Sequence, residues 1–109
     1  METSALLLHT SAGQLLIETA NIVRIEASSN YCKLFLTNGR MLVTAKVLKW
    51  FEEKLPPEVF IRLHRSHLVN NHYLLRNEFV KKGLVLVNGD YIRVSRRRKK
   101  NILNQLQAA

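Results

Sequence analysis

Up to Val94 the chain alternates short apolar runs with turn residues. Ala5–His9 and Gln14–Ile17 flank Ser11-Ala12-Gly13, a pattern that predicts a hairpin. Ile22–Ala27 reads as a strand, and Ser28-Ser29-Asn30 breaks the run that follows it. In Tyr31–Thr37 the residues Cys32, Leu34 and Leu36 alternate with Tyr31, Lys33, Phe35 and Thr37, the period of two that separates the faces of a strand. Asn38-Gly39, where both residues tolerate positive φ, predicts a tight return into Arg40–Val43.

The period then changes. Leu48, Phe51 and Leu55 fall at helical spacing, Val47 and Trp50 widen the apolar face, and Lys49 and Glu53 form an i,i+4 pair. A helix of about ten to twelve residues within Thr44–Leu55 is expected, stopped by Pro56-Pro57. Phe60–Leu63, His67–Asn71, Leu74–Val80, Leu84–Val87 and Tyr91–Val94 follow as short extended runs, with turns at Lys81-Lys82-Gly83 and Asn88-Gly89. After Ser95, a possible N-cap, Ile102, Leu103 and Leu106 return to helical spacing. Many short strands and two Asn-Gly turns make this a mainly β, antiparallel domain with one short internal helix and a C-terminal helix.

Composition narrows the class. The 109 residues suit one domain, 1–109, and 47% hydrophobic with 23% charged residues excludes a disordered chain. No apolar run approaches the ~18 residues of a membrane helix, and Ala5–Leu8 lacks the length and basic flank of a signal peptide. The single cysteine, Cys32, cannot close an internal disulfide, which points to a reducing, cytoplasmic setting. The net charge of +9 is unevenly placed: residues 1–58 carry six basic and six acidic side chains, whereas 59–109 carry eleven basic and two acidic ones, Glu78 and Asp90. A charge gathered in one half suits a polyanion, with nucleic acid ahead of an anionic membrane surface. The bland alternative is a tail that keeps a small domain soluble.

No enzyme constellation is present. The glycines (Gly13, Gly39, Gly83, Gly89) are scattered turn residues and form no phosphate-cradling motif. His64 and His67 stand three apart in HRSH without cysteine or carboxylate companions, so neither metal nor cofactor is expected. Phe60–Asn71, FIRLHRSHLVNN, differs: it interleaves Arg62, His64, Arg65, Ser66 and His67 with apolar anchors. Such a stretch fixes its backbone in a core while presenting groups that suit guanine edges and phosphate oxygens. IRVSRRRKK, Ile92–Lys100, repeats that chemistry after a hairpin. His64 is expected to orient the Arg65–Ser66 loop, Asn70 either to pin its loop or to touch the nucleic acid, and Trp50 and Phe51 to lie in the core. A redox switch at Cys32 has no nearby feature that lowers a thiol pKa.

Three segments carry a family resemblance: IVRIEASSNYCKLFLTNG, LKWFEEKLPPEVFIRLHRSHLVN and LVNGDYIRVSRRR. Together, over about Leu6 to Leu106, the chain resembles the LytTR-type DNA-binding domain of bacterial transcriptional regulators. The most specific part is Phe60, Arg62, His64, Arg65, Ser66, Val69 and Asn70; Gly89, Val94, Ser95 and Arg96 form the second, and Glu26–Tyr31 the third. The resemblance implies an elongated fold of antiparallel sheets, about ten strands by the family pattern, with loops that enter successive major grooves of double-stranded DNA. Arg65 and Arg97 fall at base-reading positions, and a third reader falls among Asn30, Tyr31 and Cys32. Lys33, Arg62, Ser66, Arg96 and Arg98 become phosphate contacts. Paired or repeated sites and a second copy on DNA are expected, because one small interface gives limited specificity. Such domains usually follow a receiver or sensory segment, so the chain reads as a free-standing regulator or as an isolated response regulator output domain. A small RNA-binding protein and a protein-interaction domain docking through the Trp50–Phe51 helix are the rival readings.

Overall fold

The computed structural model describes residues 5–75 and 82–108. Among them are nine strands: β1 (Ala5–Thr10), β2 (Gly13–Glu18), β3 (Ile22–Ser28), β4 (Tyr31–Leu36), β5 (Met41–Thr44), β6 (Phe60–His64), β7 (His67–Asn70), β8 (Gly83–Val85) and β9 (Tyr91–Arg93). Helix α1 spans Leu48–Lys54 and α2 spans Lys99–Ala108, with 3-10 turns at Thr19–Asn21, Asn71–Tyr73 and Arg96–Arg98. Seven strands form an antiparallel sheet in the order β2-β1-β5-β4-β3-β7-β6, and β8 and β9 form a separate hairpin. The molecule measures 38 × 35 × 25 Å.

Two apolar clusters lie on opposite faces of the large sheet. Ile22, Ile25, Leu34, Phe60 and Leu68 pack with Leu48, Phe51 and Leu55 of the α1 segment. Val23, Ile61, Leu63 and Val69 pack with Leu84, Leu86, Ile92 and Val94 of the hairpin region and with Ile102 of α2. Strands β3, β7 and β6 are therefore buried on both faces. A bulge between Ile22 and Arg24 shifts the alternation in β3, so Ile22 and Ile25 share one cluster despite their odd spacing. In β4 the expected alternation holds, with Cys32 and Leu34 fully buried.

Helix α1 is shorter than the periodicity of Thr44–Leu55 predicts. Thr44 is buried in β5, opposite both Cys32 and Thr10, and Val47 is extended at φ −83°, ψ 161°. Sheet pairing thus claims the residues that would have begun the helix. At the other end Leu55 turns extended, φ −94°, ψ 149°, because the ring of Pro56 disfavours helical geometry in the residue before it. Of the strand expected over Leu74–Val80, Leu74 makes an isolated bridge to Leu86 and Leu75 donates its amide to Val85; residues 76–80 lie outside the described residues. Of the turn expected at Lys81-Lys82-Gly83, Lys81 lies outside the described residues and Gly83 already pairs with Arg93. Ser95 stands at the N-cap position of the Arg96–Arg98 turn, yet its side chain makes no capping hydrogen bond.

Gly83 has a packing reason to be glycine: a Cβ there would run into the carbonyl of Ile92 and the ring of Tyr91. Gly83→Ala is expected to destabilise the fold by about 1–3 kcal/mol through overpacking, read as a lowered midpoint in urea. An unchanged midpoint would show that the hairpin opens to admit the methyl group.

Candidate nucleic-acid interface

Three turns meet at one end of the large sheet, and backbone hydrogen bonds hold them there. The amide of Ala27, near the end of β3, donates to the carbonyl of Ser66 in the β6–β7 turn at 2.8 Å. The amide of Ser95 donates to the carbonyl of Leu63 at 2.9 Å, which brings the start of Arg96–Arg98 beside the end of β6. The β3–β4 turn, Ser29-Asn30, lies at the same end because Glu26 pairs with His67. Ser29 adopts φ 57°, the left-handed conformation that lets the chain reverse in two residues.

These turns expose Asn30, Arg65, Arg96 and Arg97, while Tyr31, Lys33, Ser66 and Arg98 are half-buried. Lys33 lies within β4, opposite Glu26 and Val43. Tyr31 accepts a hydrogen bond from Ser28 Oγ at 3.3 Å. Cys32 is different: its side chain is 0% exposed within the core cluster, so it cannot reach a base from that position. Burial also pushes its thiol pKa up, against a smaller downward pull from Arg62, which disfavours the reactive thiolate.

Arg62, expected at a phosphate, is committed within the protein. Its Nε donates to the His64 carbonyl at 2.8 Å, one terminal nitrogen to Glu52 Oε1 at 2.8 Å, and the other to the Arg65 carbonyl at 2.6 Å. The guanidinium thereby ties α1 to the turn that carries Arg65. A guanidinium spreads its donors over three nitrogens and so reaches three separated acceptors, whereas an ammonium gathers its three donors on one nitrogen. His64 completes the turn by accepting the amide of Ser66 at Nδ1, 3.2 Å, as its orienting role requires. Asn70 pins its neighbourhood: 1% exposed, it donates to the Ile22 carbonyl and accepts from the His72 amide.

A second arginine, Arg24, was not singled out by its sequence context. It lies buried in β3, where Nε donates to Asp90 Oδ2 and a terminal nitrogen to Glu26 Oε1, each at 2.9 Å. Its guanidinium also stacks 3.8 Å above the Phe35 ring. This links the large sheet to the Asn88–Asp90 turn of the hairpin. The available signal was a lone cation inside the apolar run IVRI, together with one of only two acids in the second half. Of the α1 ring pair, Phe51 is fully buried in the core, whereas Trp50 is half-buried and packs edge-on against it at 5.0 Å.

His64 and His67 lie with ring centroids 5.5 Å apart. Burial lowers the pKa of His64, reinforced by Arg65, Arg93, Arg98 and Arg62. Burial also lowers that of His67; Glu26 opposes the shift, while Arg24 and His64 add to it. His67 Nδ1 is buried without a hydrogen-bond partner among the described residues, and its 3.9 Å separation from Glu26 is too long for one.

The fold and its cationic end define a small β-type nucleic-acid-binding domain. Residues 12–107 match the family model described as the LytTr DNA-binding domain. The chain belongs to the LytTR family of DNA-binding domains. In fold it is similar to the LytTr DNA-binding domain of a Bacillus cereus protein described as a methyl-accepting/DNA response regulator, with a TM-score of 0.81 and 23% identity over 96% of this chain and 98% of that one. No curated protein matches the chain significantly. No helix among the described residues is long and apolar enough to cross a membrane.

Arg62→Lys is expected to destabilise the fold by about 1–3 kcal/mol and to speed amide hydrogen exchange at Arg65 and Ser66. Exchange unchanged at both amides would remove Arg62 from the support of the turn. The histidines also set a pH dependence. Because folding holds both pKa values below the unfolded value of about 6.5, their contribution is present above that pH and is lost as pH falls through it toward the lower folded values. The urea midpoint is expected to drop between about pH 7.5 and about pH 5.5, and to drop less in the His64→Gln/His67→Gln double variant. Equal drops in both proteins would assign the effect to other groups.

Proposed function

We propose that this domain binds double-stranded DNA sequence-specifically as the output domain of a bacterial transcription regulator, working in the cytoplasm without enzyme activity. The observation that carries this reading is the convergence of three turns at one end of the sheet, with Arg65 and Arg97 both exposed. Arg65 and Arg97 read guanine edges through their two-pronged donors, in successive major grooves. Asn30, exposed at the tip of its turn, is the third reader ahead of the half-buried Tyr31. Lys33, Ser66, Arg96 and Arg98 contact phosphates and set register without reading sequence. Arg62 is a positioning residue, holding the backbone from which Arg65 projects. Two copies occupy paired or repeated sites, which supplies the specificity one small interface lacks.

An RNA-binding reading needs exposed aromatic rings on which unpaired bases can stack. Among the described Phe, Tyr and Trp residues only Tyr91 is exposed. Duplex DNA read by turn side chains fits this surface better.

The test is selection from randomised duplexes with competitor DNA at near-physiological salt. An enriched motif repeated about one helical turn apart is expected. Each bidentate arginine contributes about 1–3 kcal/mol of discrimination, so Arg65→Ala and Arg97→Ala should each lower the preference for that motif over random DNA about 5- to 100-fold. Lys33→Ala should weaken both kinds of DNA alike and reduce the salt slope by about 0.9. A preference that survives both arginine substitutions would overturn the base-reading assignment.

A further inference from the structure

Beside the proposed DNA-reading turns lies an open cavity of about 310 Å³, lined by His64, Lys82, Arg93, Val94, Ser95, Arg96 and Lys99. Its volume is at the lower end of the range for small-molecule clefts. The hairpin builds one wall: Gly83 pairs with Arg93, and the Val94 amide donates to the Lys82 carbonyl at 2.9 Å, which sets Lys82 opposite Val94, one position along from Arg93. The Ser95–Leu63 hydrogen bond brings in His64 and the Arg96 turn as the other.

Among the described residues the lining contains four cationic side chains, Lys82, Arg93, Arg96 and Lys99, and no acid. Among the described residues Lys82, Arg93 and Arg96 make no ion pair. The two largely buried arginines, by contrast, are matched to carboxylates: Arg24 to Glu26 and Asp90, Arg62 to Glu52. Here Lys82, Arg93 and Arg96 face a shared space without a counterion among the described residues. His64 adds a directional donor, because accepting the Ser66 amide at Nδ1 leaves the proton of the neutral ring on Nε2. The wall also holds a buried hydroxyl, Ser95 Oγ, with no hydrogen-bond partner among the described residues. Point charges, guanidinium forks and a neutral donor around a small cleft suit phosphoryl oxygens.

We propose that this cavity binds a small phosphate ligand of the diphosphate class and that the bound ligand displaces DNA. The displacement rests on the DNA reading above: His64 belongs to the turn that presents Arg65, and Arg96 adjoins Arg97. Phosphoryl oxygens also come from the DNA backbone, so free ligand and DNA are tested separately.

The chain is titrated with sodium pyrophosphate at fixed ionic strength and followed by amide NMR shifts and thermal melting. Saturable shifts at His64–Ser66 and Arg93–Lys99, with a raised melting temperature, are expected. Lys82→Gln and Arg93→Gln change exposed residues outside the proposed DNA contacts, and each should weaken pyrophosphate binding about tenfold. In the second arm, pyrophosphate should release a labelled duplex at concentrations where sodium chloride of equal ionic strength does not. Shifts that never saturate and spread equally to Arg40 and Lys46, or binding indifferent to both substitutions, would overturn the proposal. So would failure of pyrophosphate to bind while both substitutions weaken DNA, since the cavity would then serve the backbone. Saturation at the cavity by a chain that binds no duplex would support the ligand site and refute the DNA reading and the displacement built on it.

Discussion

Three adjacent strands buried on both faces are the constraint from which the rest of this architecture follows. In a strand, side chains leave on two faces only, and in β3, β7 and β6 both are occupied by core clusters. Recognition groups in this part of the sheet are therefore displaced to strand ends and turns. The same burial makes the turns rigid enough to be useful. A one-residue slip would exchange the residues of one cluster with those of the other, so the register that places Arg65 at a turn is fixed by Phe60, Ile61, Leu63, Leu68 and Val69. The core sets the position of the site although none of its side chains enters it.

Two guanidiniums connect that core to the turns. Arg62 lies on the Phe60 side of β6, facing α1, and converts three lone acceptors into one bracket under the Arg65 turn. Arg24 lies on β3 and clamps the Asn88–Asp90 turn of the hairpin. Both are largely buried, where an unpaired charge is costly and a fully hydrogen-bonded one is tolerated. Their role is geometric specification: they determine which backbone atoms lie beneath the exposed arginines. The short helix α1 takes part in this, because Glu52 anchors the bracket from its exposed side while Phe51 anchors the helix from below.

The elements that were legible in the sequence are those with a local cause. Asn38-Gly39 and Asn88-Gly89 mark turns, and Gly39 and Gly89 take positive φ at 85° and 94°. The alternation of Tyr31–Leu36 gave the right inward face, and it already placed Cys32 with Leu34; the family pattern drew Cys32 toward the contact surface against that alternation. The start of α1 was not legible, because what ends β5 at Thr44 is pairing with two other strands, a tertiary fact. Arg62 and Arg65 are chemically identical and three residues apart. Only the position of Arg62 within a paired strand, against Arg65 in a turn, separates the bracket from the proposed reader. The Arg24–Asp90 pair spans 66 positions and follows from how the hairpin docks, which no local pattern encodes.

The charge distribution also changes meaning in three dimensions. Along the chain the first half is balanced, six basic against six acidic residues, and the second half carries the whole excess. In the fold, Glu26 and Glu52 from the balanced half and Asp90 from the basic half are engaged by Arg24 and Arg62. Acids that seem able to offset the surface charge thus neutralise internal arginines. The exposed Arg65, Arg96 and Arg97 share one end of the sheet with His67, and Glu26, the carboxylate nearest that ring, is already bound by Arg24. A field built this way acts outward on a polyanion, because the carboxylates that could have shortened its reach are turned into the frame that holds the cations in place.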